Sequence, residues 1–554
     1  MEKPWLKFYE DGVPHSIEIP EMTLTQVFEQ AVRRNPQGKA ITFLGRRMTY
    51  KEFGRQVNQL ATALTKLGVK QGDCFAIILP NIPQYAIAHF AALKIGAILV
   101  PTNPLYVERE LKHQMNDSGA ETVIVLDFLY PKLEKIKEET CLKNIIVTKV
   151  QHYFPPLLKF VYPIKARKEG AWLRVKRSAG IHFYEELITE NFSSGPPDVN
   201  LSSGDVAMFL YTGGTTGVSK GAILTHGNLV SNVMQIRNWF CNTNESDEVI
   251  LCALPFFHSY GLTTGLHLAV YLKSMMVLIP NPRDIKMILM AIQKNKATLF
   301  SGVPTLYVAV NNFPDIAKYN ISSIKASVSG GAPLPLEVAR QFEAVTGGKL
   351  VEGYGLSETS PVTHVNPING KRKEGSIGIP IPNTVAKIVD PETKKELPVG
   401  EVGELAIKGP QVMKGYWKLE KETSAVLKDG WLFTGDMAKV DEEGYFYIVD
   451  RKKDMIIAGG FNIFPREIEE VLYAHPKIIE AAVIGVPDEY RGETVKAFVV
   501  SKKGESLTAE EIIQFCKQKL ASFKVPKLIE FRDTLPKSNI GKVLKRVLIT
   551  EEQK

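Results

Sequence analysis

Short apolar runs spaced by helix-length segments set the architecture of this chain of 554 residues. Phe75 to Leu79, Ala97 to Val100, Thr122 to Leu126 and Ile145 to Val147 are too short for helices and uniformly apolar. Runs of that kind are parallel strands buried on both faces, joined by helices in βαβ units. Tyr85 to Ile95 has helical length, and Pro101 with Pro104 ends the second run. The predicted class is α/β: a large N-terminal domain of several subdomains with parallel βαβ sheets. A single core does not serve a chain of this length, so roughly two to four domains are expected.

Around Met208 to Tyr211 a strand runs into Tyr211-Thr-Gly-Gly-Thr-Thr-Gly-Val-Ser-Lys220-Gly. Glycines let backbone amides approach an anion, hydroxyls add donors, and lysine offsets negative charge, so the loop is suited to phosphate. It is not a Walker loop, which needs Gly-Lys-Ser/Thr opening a helix. Here Ser219-Lys220-Gly221 leads into the extended stretch Ala222 to Thr225. The loop is therefore expected to join two strands, with Thr225 capping a helix over 226–240. A flexible Gly/Thr-rich turn is the plainer alternative.

The formal charge of +8 is modest for this length, and much of it is local. Between Pro155 and Ser178 stand Lys159, Lys165, Arg167, Lys168, Arg174, Lys176 and Arg177, against Glu169 alone. Phe160, Tyr162, Trp172 and Leu173 lie among them. A solvated basic loop is the simpler reading; contact of 159–177 with an anionic membrane is the other. No nucleic-acid partner is expected, since the rest of the chain is nearly neutral. Five cysteines without Cys-x-x-Cys spacing point to a reduced, cytoplasmic chain, peripheral to the inner membrane face if the basic segment does bind lipid. The start is polar, the end carries no peroxisomal tripeptide, and Tyr85 to Pro101, broken by His89 and Lys94, is too short and polar to span a bilayer.

The charged passage Asp450 to Asp454 separates two apolar runs and is the expected boundary between a domain of 1–450 and one of 451–554. The latter reads as helix over 465–474, strands over 481–486 and 495–500, helix over 508–520 and a strand over 528–531. This is a small α+β domain of ordinary size.

Several motifs follow the loop in order: Leu254 to Gly261, Ser329 to Pro333, Val351 to Thr359, Trp431 to Asp436, Asp450 to Glu469 and Leu535 to Lys542. Together with Tyr211 to Ala222 they resemble the acyl- and aryl-adenylate-forming enzymes over nearly the whole chain. The wording is most similar to bacterial long-chain fatty acid CoA ligases. The resemblance implies two steps: a carboxylate attacks the α-phosphorus of ATP, and coenzyme A then takes the acyl group. Joining two anions requires donors and cations where charge builds up.

By that resemblance Thr212, Gly213, Gly214, Thr215, Thr216, Gly217 and Lys220 hold the β- and γ-phosphates. Glu358, with Thr215, holds Mg2+, and Ser357 touches the α-phosphate. Gly331, Ala332 and Pro333 edge adenine with their backbone, Tyr354 stacks on it, and Glu352 and Gly353 belong to the nucleotide-binding set. Asp436 and Arg451 bind the ribose, and a carboxylate can accept from both hydroxyls of a vicinal diol. Lys453 takes the hinge position. Lys542, whose compact charge rides a long flexible stem, is the expected adenylation residue. It lies on the small domain and must withdraw before the thiol enters, which makes that domain mobile. Gly459 and Gly460 then line the pantetheine channel.

His258 stands where amino-acid-activating relatives carry an aspartate for the substrate ammonium, so the acid is expected to have no amino group and its carboxylate to lie near His258. Phe256, Phe257, Tyr260, Gly261, Leu262, Val303 and Thr305 are the expected pocket walls, with Gly302, Gly330 and Gly331 leaving depth. Each buried methylene contributes about 0.8 kcal/mol, which favours a fatty acid. An aryl-CoA ligase of the 4-coumarate type and a catalytically inactive acyl-nucleotide-binding regulator are the alternatives. Oligomeric state does not follow from the sequence.

Overall fold

The computed structural model describes residues 3–168, 173–189, 195–212, 219–451, 454–458, 461–488, 492–502, 504–538 and 543–552, the side chains of 163–168, 451, 457, 461 and 462 excepted. The four apolar runs form Cys74–Ile78, Ile98–Pro101, Thr122–Leu126 and Asn144–Thr148, whose pairings with one another are all parallel. They make the middle of an eight-stranded sheet. One flank continues through Val206–Thr212, Lys220–Thr225 and Gly415–Tyr416, and the other ends at Ile181–Phe183.

A nine-stranded sheet forms the second layer. It is parallel from Lys39–Phe43 through Met275–Leu278, Val249–Cys252, Leu299–Gly302 and Ala326–Ser329 to Lys349–Gly355. Antiparallel strands close both edges. The helix Pro83–Lys94 is buried at every residue from Pro83 to Leu93. A helix apolar on all sides belongs inside a layered core, and this one packs on Tyr50–Lys66, while Phe90 stacks on Phe28 at 4.4 Å.

Polar bonds near this helix join the two sheets. Asn81 donates to the carbonyls of Cys252 and Leu254 at 2.9 and 2.7 Å and accepts from the Phe256 amide at 2.8 Å. Tyr85 donates to the Phe256 carbonyl at 2.9 Å. The loop carrying His258 is thereby anchored to the carboxyl end of strand Cys74–Ile78.

An antiparallel sheet follows, containing Val385–Val389, Gly403–Lys408, Trp431–Val440 and Phe446–Arg451. The last sheet contains Ile456–Ala458, Phe461–Ile463, Ile478–Asp488, Gly492–Ser501 and Leu528–Phe531, with helices Pro465–Tyr473 and Ala509–Lys517. Its elements match the α+β reading, and the two short strands Ile456–Ala458 and Phe461–Ile463 are additions to it. Helix His226–Trp239 begins at Thr225, whose side chain accepts from the Asn228 amide while Asn228 accepts from the Thr225 amide.

Asn81→Ala leaves two carbonyls and one amide without their partner in a buried setting. We expect it to cost about 3 kcal/mol, measured by urea unfolding; a loss within ordinary surface-mutation scatter would show that the two sheets do not depend on Asn81.

Candidate active site

The strands flanking the phosphate-type loop pair with each other. Val206–Thr212 pairs antiparallel with Lys220–Thr225, with Tyr211 opposite Gly221 and Thr212 opposite Lys220. The two strands expected on either side of the loop are therefore present and paired; Gly213, Gly214, Thr215, Thr216 and Gly217 lie outside the described residues. A Cβ on Gly221 would stand 3.2 Å from the Tyr211 ring, so glycine lets that ring lie against the opposite strand. Tyr211 donates to Asp117 at 2.5 Å. The carbonyl of Asp117 accepts from the Trp417 indole at 3.0 Å and from Lys418 at 2.6 Å.

Parallel strands of the nine-stranded sheet bring three of the other motifs, after Val249–Cys252, after Ala326–Ser329 and on Lys349–Gly355, to their carboxyl ends, where ligands of open α/β sheets bind. Gly331 follows Ala326–Ser329 with φ of +79°, a conformation that favours glycine. Ala332 and Pro333 continue that turn, and the Leu334 amide donates to Glu352 at 3.1 Å. Glu352, Gly353 and Tyr354 lie together on Lys349–Gly355. A Cβ on Gly353 would meet Val328 at 3.0 Å, which explains the small residue there.

Tyr354 donates to Asp436 at 2.6 Å, so the residues expected at adenine and at ribose are in contact. Asp436 in turn is paired in register with Arg451. Ser357 and Ser259 approach with hydroxyl oxygens 3.3 Å apart, which puts the α-phosphate candidate beside the His258 loop. His258 caps the turn Ser259–Gly261 by accepting the Tyr260 amide on Nδ1 at 3.3 Å, which assigns the ring proton to Nε2. Glu358 accepts from the Tyr416 hydroxyl at 2.8 Å. Lys453, Gly459, Gly460 and Lys542 lie outside the described residues. On either side of Lys542, Lys537 and Val543 pair across an antiparallel bridge.

The room expected behind two glycines is filled. A Cβ on Gly302 would meet the Tyr307 ring at 2.8 Å, and one on Gly330 would meet Tyr260 at 3.0 Å. Both hydroxyls donate to the Val328 carbonyl, at 3.0 and 2.8 Å. Phe256, an expected wall, is fully buried against Tyr85 at 5.4 Å. These glycines serve aromatic packing here rather than depth for a chain. Sequence reasoning missed Tyr416 and Asp117, neither of which carries a local signal such as a glycine cluster, and gave Arg466, inside the Asp450 to Glu469 motif, no role.

AMP-binding enzymes match residues 28–417, and the AMP-binding enzyme C-terminal domain matches 467–542. The chain belongs to the AMP-binding enzymes. It is 46% identical over 553 residues to the long-chain-fatty-acid–CoA ligase of Bacillus subtilis, covering 100% of this chain and 98% of the relative. It is 37% identical to a feruloyl-CoA synthase of an Amycolatopsis species over 93% of this chain and 96% of the relative. Among solved structures, ATP-bound MatB from Rhodopseudomonas palustris superposes with a TM-score of 0.80 at 31% identity, covering 96% of this chain and 99% of that one.

One carboxyl of this AMP-binding enzyme is poised to titrate near neutrality. Burial raises Glu352 from 4.5 to about 7, against the lowering effects of Arg466 and the Leu334 amide. Arg466, at the start of helix Pro465–Tyr473, places Nη2 3.8 Å from Glu352 and Nε 3.1 Å from Glu470. The fold holds the Glu352 proton more tightly than the unfolded chain does. This group's contribution is therefore greatest below pH 4.5 and is lost as pH rises through about 7. The amount is about 3 kcal/mol. Glu352→Gln keeps an acceptor for Leu334 and is expected to flatten that decline in thermal unfolding between roughly pH 5 and 8. Parallel declines in parent and variant would exclude Glu352 as the source.

Proposed function

We propose that this chain is an AMP-forming ligase of long-chain fatty acids. It adenylates the acid with ATP, releases pyrophosphate, and transfers the acyl group to coenzyme A, giving acyl-CoA and AMP. The observation that carries the reading is the end-to-end match, at 46% identity, to a ligase of that activity. The geometry supports it through contacts between these motifs: Tyr354 bonds Asp436, Ser357 lies beside Ser259 of the His258 loop, and Glu358 bonds Tyr416, whose strand pairs with Lys220–Thr225.

In this reading Thr212 to Gly217 and Lys220 hold the β- and γ-phosphates, and Ser357 holds the α-phosphate. Gly331, Ala332, Pro333, Glu352, Gly353 and Tyr354 form the adenine site, and Asp436 with Arg451 binds the ribose. His258 faces the acyl carboxylate. The donor set suits Mg2+, a hard cation bound through carboxylate, hydroxyl and phosphate oxygens. Glu358 keeps one oxygen on Tyr416 and, among the described residues, has the other to offer. Glu358 and Thr215 would hold the ion, which supplies charge neutralisation on the phosphates.

Residues 451–554 form the mobile domain, with Lys453 at the hinge, Lys542 entering for adenylation, and Gly459 and Gly460 lining the thiol's path. The enzyme works in the cytoplasm and touches the inner membrane face through its basic segment. Supporting that contact, Leu157 and Phe160 on helix Pro156–Lys168 are 76% and 80% exposed beside Lys159. No helix among the described residues is long and apolar enough to cross a membrane.

Lys542→Ala is expected to abolish ATP–pyrophosphate exchange with a long-chain acid while sparing thioesterification of supplied acyl-adenylate; equal loss of both would remove the two-orientation scheme. Exchange with cinnamates but not with fatty acids would move the substrate to the aryl class. Neutralising Lys165, Arg167 and Lys168 should lower sedimentation with anionic vesicles, and unchanged sedimentation would return the segment to a solvated loop.

A further inference from the structure

The strand Gly415–Tyr416 lies outside every motif that pointed to the site, yet it borders the phosphate hairpin directly. It pairs antiparallel with Lys220–Thr225, Tyr416 opposite Ala222 and Gly415 opposite Ile223. Three contacts then converge on the Tyr416 side chain and its neighbours. The Tyr416 hydroxyl donates to Glu358 Oε1 at 2.8 Å. The Met413 amide donates to the Glu358 carbonyl at 2.8 Å, so one short segment grips Glu358 at both backbone and side chain. The Lys220 ammonium stands 5.5 Å from the centroid of the same Tyr416 ring.

The backbone around this tyrosine is itself held. Its amide donates to Thr423 Oγ1 at 2.8 Å, and Thr423 donates to the Leu419 carbonyl at 2.8 Å. Gly415 has φ of +151°, and a Cβ there would stand 2.6 Å from Thr423.

We infer that Tyr416 is a positioning residue for ATP activation, fixing the Glu358 carboxylate so that its second oxygen is presented to the divalent cation accompanying ATP. The inference rests on the ligase reading for its reaction and on geometry for its residue. A hydroxyl on one carboxylate oxygen restricts the side chain's rotation and leaves the other oxygen as the ligand. Partners of this kind behind a metal ligand typically change metal affinity or activity by about 10–100-fold. The ring has a second task, as the face beneath Lys220, which an aromatic replacement retains.

Tyr416→Phe removes only the hydroxyl. In the full-length protein, Mn2+ titrated in the presence of a non-hydrolysable ATP analogue and followed by electron paramagnetic resonance should bind about tenfold more weakly than in the parent. The Mg2+ concentration for half-maximal ATP–pyrophosphate exchange should rise comparably. Thioesterification of supplied acyl-adenylate and the thermal unfolding midpoint should stay at parent values. In a Glu358→Gln background, Tyr416→Phe should add nothing further, because the two side chains act as one unit.

Unchanged Mn2+ binding in Tyr416→Phe overturns the inference. So does an equal loss in both half-reactions, or an undiminished effect in the Glu358→Gln background. Failure of the ligase reading looks different: the parent protein then shows no exchange with any fatty acid, while the Mn2+ titration still reports on Tyr416.

Discussion

Two parallel sheets can share one working edge only if the layer between them is dry and their carboxyl ends are pinned together. Helix Pro83–Lys94 supplies the dry layer, with no exposed residue from Pro83 to Leu93. Asn81 and Tyr85 supply the pins, since between them they bond the backbone of Cys252, Leu254 and Phe256. Backbone groups at a strand end have no ladder partner, and buried ones must find another. Here that need is met by side chains from the neighbouring sheet. The position of the His258 loop relative to the hairpin follows from those bonds.

The site also answers a charge problem. ATP and a carboxylate substrate are both anionic, yet the candidate site carries Asp117, Glu358 and Asp436. Each accepts a hydrogen bond from a tyrosine: Tyr211, Tyr416 and Tyr354 respectively. A phenol fixes a carboxylate without adding a cation that would compete with the phosphates for it. Burial is the leading cause that raises the Tyr211 and Tyr416 phenols and keeps them protonated. Lys220, on the hairpin's second strand, meets the ring of Tyr416.

Much of this was legible in the sequence, for identifiable reasons. The apolar runs at Phe75, Ala97, Thr122 and Ile145 marked strands because a parallel sheet is covered on both faces and tolerates no polar alternation. The hairpin was legible because Ser219-Lys220-Gly221 leads into extended residues and not a helix. Helix 465–474 and the strand over 528–531 were read almost to the residue. The short strands Ile456–Ala458 and Phe461–Ile463 were not, because three residues give no periodicity. The glycines at 302 and 330 were misread as open depth. A glycine announces that something approaches closely, without saying whether it is a ligand or a ring such as Tyr307 or Tyr260. Tyr416 lay outside every motif, and the contact of Arg466, inside the Asp450 to Glu469 motif, with Glu352 was not legible, since these partners are far apart in sequence.

Arg466 makes one contact between helix Pro465–Tyr473 and the nine-stranded sheet. It reaches Glu352 on the strand that also carries Tyr354, while its own amide binds Asp450 at 3.0 Å. A fully ionised buried pair at this position would be costly to separate, because each charge would be left without its partner. A carboxyl raised to about 7 is instead only partly ionised at neutral pH, which weakens the link. If the small unit turns between two orientations, as proposed for its two half-reactions, a contact of this strength suits the movement. It aligns helix Pro465–Tyr473 with the nucleotide edge, yet gives way without stranding a full charge in the core.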